Sequence, residues 1–291
     1  MKSVAPETES NSPAIRADYG VPQLSPPKFG KRAHQDLAQA KSVDAGKVFV
    51  VLPAYNEEDG LPALLADIEQ VFAINGREYH IIVVDDASTD STAEIAREAA
   101  VELPLTLVQH KVNQNLPGAL RTGFETAIQF AEERDVIITM DGDNTHPPAI
   151  MNSLLQKIAE GYDVMIASRF QRGSRVCGVP LSRVFTAFCA RLLFRFIMPI
   201  PSVRDYTCGY RAYRADVLRD SMEYYGDQWV SEKGFSCMVD VLLKMRRFNY
   251  VMGEVPMLLR YDQKEGGSKM KVLRTIGQTV KLLLCRRFGG Y

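Results

Sequence analysis

The sequence predicts an α/β protein with a mostly parallel central sheet and helices on both faces. Three observations lead there. Short apolar runs alternate with stretches of helical hydrophobic spacing, the connections between them are short, and the runs end in polar, mostly acidic residues.

The elements follow in order. Val48-Phe49-Val50-Val51-Leu52 is a buried strand stopped at Pro53. Asn56 to Asn75 carries Leu61, Leu64, Leu65, Ile68, Val71 and Phe72 at helical spacing. His80 to Val84 is a second strand, ended by Asp85-Asp86. Ser88-Thr89-Asp90-Ser91-Thr92 supplies cap residues for a helix running to Ala100. Leu105 to Gln109 is the third strand, and Pro117 to Glu133 a helix in which Gly118 and Gly123 permit close packing. Val136 to Met140 is the fourth strand, ending in Asp141-Gly142-Asp143. A helix over Pro148 to Glu160 and a strand over Asp163 to Ala167 follow. Short crossovers of this kind are right-handed, and ligands of such sheets bind beyond the carboxyl ends of the strands. Those ends carry Tyr55-Asn56-Glu57, Asp85-Asp86 and Asp141-Gly142-Asp143.

Composition narrows the class. Lys+Arg and Asp+Glu both total 35 in 291 residues, so no global positive field points to nucleic acid. The five cysteines are scattered without a C-x-x-C pair, which predicts reduced thiols and a cytoplasmic setting rather than a disulfide frame or zinc site. No signal peptide is visible, and the most apolar stretch, Val184 to Ile200, is interrupted by Arg191 and Arg195, so membrane contact is expected to be peripheral. Residues 1–46, rich in Pro, Ser and charge, read as a disordered tail before a domain over 47–260. Residues 261–291 read as a basic amphipathic end suited to a membrane interface.

The strand ends define the chemistry. Asp141 and Asp143, two apart at a strand terminus, start on the same face, and Gly142 between them allows a ligand or metal close to the backbone. Two hard carboxylates suit Mg²⁺ or Mn²⁺, with waters and diphosphate oxygens filling the other positions. Capping and solvation are the ordinary roles of such acids, and the alignment of three polar clusters on successive strand ends argues against them. There is no G-x-x-x-x-G-K-[ST] loop and no G-x-G-x-x-G after the first strand, so basic side chains must help to meet a diphosphate. Arg169, at the ligand edge, heads the candidates, with Arg260, Lys264 and Lys269 behind it.

These residues resemble the signatures of the family 2 glycosyltransferases, which have the GT-A fold with a Rossmann-like nucleotide-binding half. The segments are V-V-L-P-A-Y-N-E-E from Val50, V-V-D-D-A-S-T-D-S-T from Val83 and M-D-G-D-N-T-H-P-P from Met140. Ala167-Ser168-Arg169-Phe170, the run from Asp205 to Arg211, and Gly266-Gly267-Ser268-Lys269 are similar to segments of the polyprenyl-phosphate sugar synthases, including the dolichol-phosphate mannose synthases. The resemblance implies an inverting hexosyl transfer, mannose first, from GDP-mannose or a UDP-hexose to a polyprenyl phosphate at the cytosolic membrane face. Pro53, Tyr55, Glu57 and Asp86, with Val84 beside them, would hold the nucleoside. Asp141, Gly142 and Asp143 would hold metal and diphosphate, and Arg169 and the loosely placed Lys264 would meet phosphate or sugar. Asp143 and Arg169 would stabilise the leaving diphosphate. Thr145, Cys208 and Asp240 stand where the family has other residues. A sugar hydroxyl as acceptor would need a general base, for which Asp205 or Asp240 is the candidate; a phosphate would not. A subunit that binds nucleotide sugar without catalysis is a third reading. Two basic amphipathic stretches fit a lipid acceptor. One is Pro180 to Ile200, with Val184, Phe185, Phe188, Leu192 and Phe196 beside Arg183, Arg191 and Arg195; the other is Ser268 to Tyr291. Oligomeric state is not assigned.

Overall fold

The computed structural model describes residues 46–179, 181–234, 236–260, 277, 280–284 and 286. The expected tail and Lys264, Lys269 and the Gly266–Lys269 segment lie outside them, as do the side chains of Arg183, Val184, Phe185 and Arg260.

The chain runs β1 (Val48–Ala54), α1 (Leu61–Asn75), β2 (Tyr79–Asp85), α2 (Thr92–Ala99), β3 (Leu105–Gln109), α3 (Asn115–Phe130), β4 (Val136–Thr139), α4 (Ile150–Ala159) and β5 (Val164–Ser168). β6 (Arg175–Cys177), α5 (Leu181–Ile197), β7 (Arg211–Arg214), α6 (Ala215–Tyr225), α7 (Ser236–Met245), β8 (Met252–Pro256) and β9 (Leu258–Arg260) complete it. Every strand and helix expected up to Ala167 is present. The first helix begins five residues late, because Asn56 takes a left-handed backbone (φ 52°) and Leu61 opens the helix with Pro62 in its first turn.

Seven strands form one sheet in the order β3-β2-β1-β4-β7-β5-β8. β1 is parallel to both β2 and β4, and β5 is parallel to β8, while β7 runs antiparallel between β4 and β5. The order moves outward from β1 through β2 to β3, then returns across β1 to β4. Right-handed crossovers therefore put α1 and α2 on one face and α3 on the other, which opens a crevice between the carboxyl ends of β1 and β4. α3 lies against β1 and β2, and a Cβ on Gly123 would come within 2.3 Å of Val51 Cγ1. That is the close packing expected of Gly123. At Gly118 the nearest atoms a Cβ would meet belong to Gln114, at the start of the same helix, and not to the sheet.

The strands β1, β2, β4 and β5 are buried almost throughout, as their unbroken apolar runs require. A separate two-stranded ribbon pairs β6 with β9 in parallel. Among the described residues, no helix is long and apolar enough to cross a membrane.

Candidate active site

The crevice is built by two loops that stitch to each other. Ala54 pairs with Asp85 at the ends of β1 and β2, and Asp86 N–H donates to the Ala54 carbonyl at 2.9 Å. The residues expected to cap α2 mostly reach across instead. Ser88 Oγ accepts from Asn56 N–H at 2.9 Å, Thr92 Oγ1 from Glu57 N–H at 2.8 Å and Asn56 Oδ1 from Thr89 N–H at 2.8 Å. Ser91, the actual cap position, makes no side-chain cap bond. The polar run after Asp86 thus fixes the β1–α1 loop that carries Tyr55 and Glu57. Tyr55 stands at this rim, 37% exposed.

Asp85 and Asp86 have separate jobs. Asp85 is buried and structural, accepting from Ser88 N–H at 3.1 Å and Gln109 Nε2 at 3.3 Å. Asp86 faces the other way. Its Oδ1 takes His110 Nδ1 at 2.7 Å and Gln114 N–H at 2.8 Å, while His110 Nε2 meets Thr122 Oγ1 at 2.9 Å. Val84 is fully buried with its side chain toward Gly123, so that side chain is core and only its backbone borders the crevice.

Beyond β4, the acidic loop is packed beneath the first one. A Cβ on Gly142 would lie 3.2 Å from the Pro53 carbonyl oxygen and 3.7 Å from Ala54 Cβ. The close approach that this glycine permits is to the chain's own backbone, where a metal or ligand was expected. Gly60 contributes similarly, with a Cβ there 3.2 Å from the Asp143 carbonyl carbon. Asp143 Oδ1 accepts from the Thr145 hydroxyl at 2.7 Å and from Thr145 N–H at 3.2 Å. Asp141 is partly exposed above Gly209, where a Cβ would be 3.3 Å from Asp141 Oδ1. Thr139 Oγ1 donates to the Gly209 carbonyl at 2.7 Å and holds that floor in place.

His146 was not foreseen. It is buried, its Nδ1 has no hydrogen-bond partner, and that atom is 3.9 Å from Asp141 Oδ2. Among the described residues no group of three His, Cys, Asp or Glu side chains is arranged to hold a metal ion. Two neighbouring hard carboxylates, with an orphaned nitrogen behind one of them, fit a divalent cation that takes its remaining ligands from a diphosphate and water.

Arg169 follows directly on β5 and forms a bidentate pair with Asp205, Nε to Oδ2 at 2.7 Å and Nη2 to Oδ1 at 2.6 Å. Nη2 also donates to Thr207 Oγ1 at 2.6 Å. Burial opposes charge on both partners, and their mutual attraction overrides it, raising the Arg169 pKa and holding the Asp205 carboxyl below the usual range. Asp205 is fully enclosed, with Arg169 N–H, Thr207 N–H and Cys208 N–H as further donors. Asp240, on α7, is enclosed too, against Lys244 Nζ at 2.5 Å and Arg286 Nη2 at 2.8 Å. Neither acid faces the crevice as a base. Cys208 is buried, and burial pushes its thiol up to about 12, so it is inert packing. Cys177, Cys208 and Cys237 are free thiols, as expected.

The structure therefore gathers Pro53, Tyr55, Glu57, Asp86, Gly142 and the Asp141/Asp143 pair around the β1–β4 crevice, with Arg169 across from them. His110 and His146 were absent from the expectation. His110 was within reach of the same rule, since it is the first residue past β3. His146 gave no signal beyond its place after the acidic pair.

Three kinds of similarity bear on these residues. The profile of glycosyl transferase family 2 matches residues 49–221. The dolichol-phosphate mannosyltransferase of Pyrococcus furiosus is 31% identical over 226 residues, covering 77% of this chain and 59% of that protein. The undecaprenyl-phosphate mannosyltransferase of Micrococcus luteus is 32% identical over 229 residues, 77% of this chain and 87% of that one. This chain thus spans less than two thirds of the Pyrococcus protein and most of the Micrococcus one. Among solved structures, glucosyl-3-phosphoglycerate synthase from Mycobacterium tuberculosis, in complex with Mn²⁺, UDP and phosphoglyceric acid, superimposes with a TM-score of 0.58 at 20% identity, covering 87% of this chain and 81% of that one. The matched region contains the whole crevice, and on these grounds the chain belongs to glycosyl transferase family 2 and has the GT-A fold.

Proposed function

We propose that the protein moves a hexose, mannose first, from a nucleotide diphosphate donor to a polyprenyl phosphate, working peripherally at the cytosolic face of a membrane. The enclosure of Asp205 and Asp240 carries this reading. A hydroxyl acceptor needs a base to take its proton, and both candidate bases are saturated by cations and N–H groups. A phosphomonoester has its second pKa at about 6 and is already anionic at neutral pH, so it can attack the anomeric carbon without one. The names of the Pyrococcus and Micrococcus relatives agree with a lipid phosphate acceptor and a mannosyl donor.

In this reading Asp86 and the Tyr55–Glu57 loop hold the nucleoside. Asp141 and Asp143 would hold Mg²⁺ or Mn²⁺, which supplies Lewis-acid neutralisation of the leaving diphosphate. Arg169, fixed by Asp205, adds a permanent positive charge on the opposite wall. Lipid contact falls to α5, where Phe188, Leu192 and Phe196 are exposed at successive four-residue steps. Between Arg169 and Arg204 the sequence holds several arginines and no acidic residue.

The test is a panel of radiolabelled GDP-mannose, UDP-glucose and UDP-galactose with Mn²⁺ or Mg²⁺ and a short-chain polyprenyl phosphate. Label extracted into organic solvent is expected with GDP-mannose. Label found only in water-soluble glycans would reject the lipid acceptor, and donor binding without any turnover would reject catalysis.

A further inference from the structure

We infer that His110 is a positioning residue that turns Asp86 into a selector for nucleobases carrying a ring N–H on their pairing edge. The inference rests on the reading of Asp86 as the nucleoside contact. An ionised carboxylate only accepts hydrogen bonds. The His110 ring then donates from Nδ1 to Asp86 Oδ1, and the Thr122 hydroxyl, 2.9 Å from Nε2, holds the far side of the ring. Gln114 N–H takes the remaining good direction on the same oxygen, and Asn113 Nδ2 fixes the Asp86 backbone carbonyl at 3.1 Å. The turn that delivers these donors depends on Asn115 in a left-handed conformation (φ 62°).

One carboxylate oxygen is therefore spent and the other is not. Among the described residues no donor reaches Asp86 Oδ2, and that oxygen is not sealed from the surface, although the side chain is only 4% exposed. A single fixed acceptor at the bottom of a crevice discriminates by chemistry. Uracil N3 and guanine N1 carry hydrogen and can donate to it. The corresponding nitrogens of cytosine and adenine are acceptors, and would set lone pair against lone pair. Without His110 the carboxylate can rotate to offer either oxygen to either base edge, and discrimination falls while the carboxylate itself remains.

The experiment is calorimetric binding of UDP, GDP, CDP and ADP, each with Mn²⁺, to the full chain and its variants. Wild type is expected to bind UDP or GDP at least about tenfold more tightly than CDP and ADP, the scale of one charge-assisted hydrogen bond. H110L is expected to lose most of that ratio, and H110N, whose amide N–H can take the place of Nδ1–H, to restore it. In turnover, H110L should raise the donor KM and leave kcat nearly unchanged. T122V, which keeps the ring but frees its far nitrogen, should lower the ratio several-fold, and it decides the matter should H110L fail to fold. An unchanged base ratio in folded H110L, or in T122V if H110L does not fold, would overturn the role of His110. If D86A also leaves all four affinities unchanged, the nucleoside reading of Asp86 falls first; if D86A abolishes the ratio and H110L does not, only the inference about His110 falls.

Discussion

Asp143 is the residue on which transfer should depend most directly. Its Oδ1 accepts from Thr145 within its own loop, and Asp143→Ala is expected to stay folded, as circular dichroism would show. Metal-dependent turnover should fall by at least about 100-fold, the usual scale for losing a transition-state charge stabiliser. Wild-type turnover in that variant would overturn the metal assignment. Asp205 makes the opposite kind of prediction. Its folded pKa is depressed, so its contribution to stability is present above the ordinary carboxylate pKa and is lost as pH falls through the folded value. Asp205→Asn should unfold at lower urea than wild type at pH 7, and the gap should narrow below about pH 4. A gap independent of pH would mean that the pair is electrostatically silent. At this scale the acids on the strand ends were legible because position alone selects them. Which oxygens remain open was not, since that depends on partners distant in sequence, such as His110 for Asp86 and Arg169 for Asp205.

Gly123 shows what an element demands of a single position. It lets α3 lie close on β1, and Gly123→Ala should cost about 1–3 kcal/mol as the added methyl meets Val51, measured by urea unfolding. Little or no loss would show that α3 can lift from the sheet without penalty. The first five strands and four helices could be read from periodicity, because each buries an unbroken or amphipathic apolar set. β7 could not. Arg211-Ala212-Tyr213-Arg214 looks like a polar turn, yet Arg211 is buried, with its guanidinium donating to the carbonyls of Met238 and Tyr206. α7 misleads in a similar way. Asp240, expected as a candidate base, pairs instead with Lys244 inside the core. The end of the chain repeats the lesson. Among the described residues there, Leu282 and Leu283 are buried and Arg286 pairs with Asp240, contacts distant in sequence that no local pattern announces.

On the molecular scale, Phe188, Leu192 and Phe196 leave one exposed apolar stripe along α5. Arg191 is tied to the active-site edge by lying over the Phe170 ring, next to Arg169. Replacing Phe188, Leu192 and Phe196 together by Ser should reduce flotation with anionic vesicles by about tenfold or more, given roughly 1.5–3 kcal/mol for each large side chain fully buried. Thermal stability should change far less than after a core substitution, because Phe196 is 78% exposed and Phe188 and Leu192 are only half-buried. Equal flotation of variant and wild type would place the lipid contact elsewhere.

The position of β7 has a consequence for how the molecule comes together. β1 to β4 can pair using neighbouring stretches of sequence, but β5 and β8 attach only through a strand that arrives after the long excursion through α5. The half that grips the nucleotide is thus able to assemble early, and the half that carries Arg169 must wait for a late wedge to close the gap. Refolding should restore nucleotide affinity before it restores turnover.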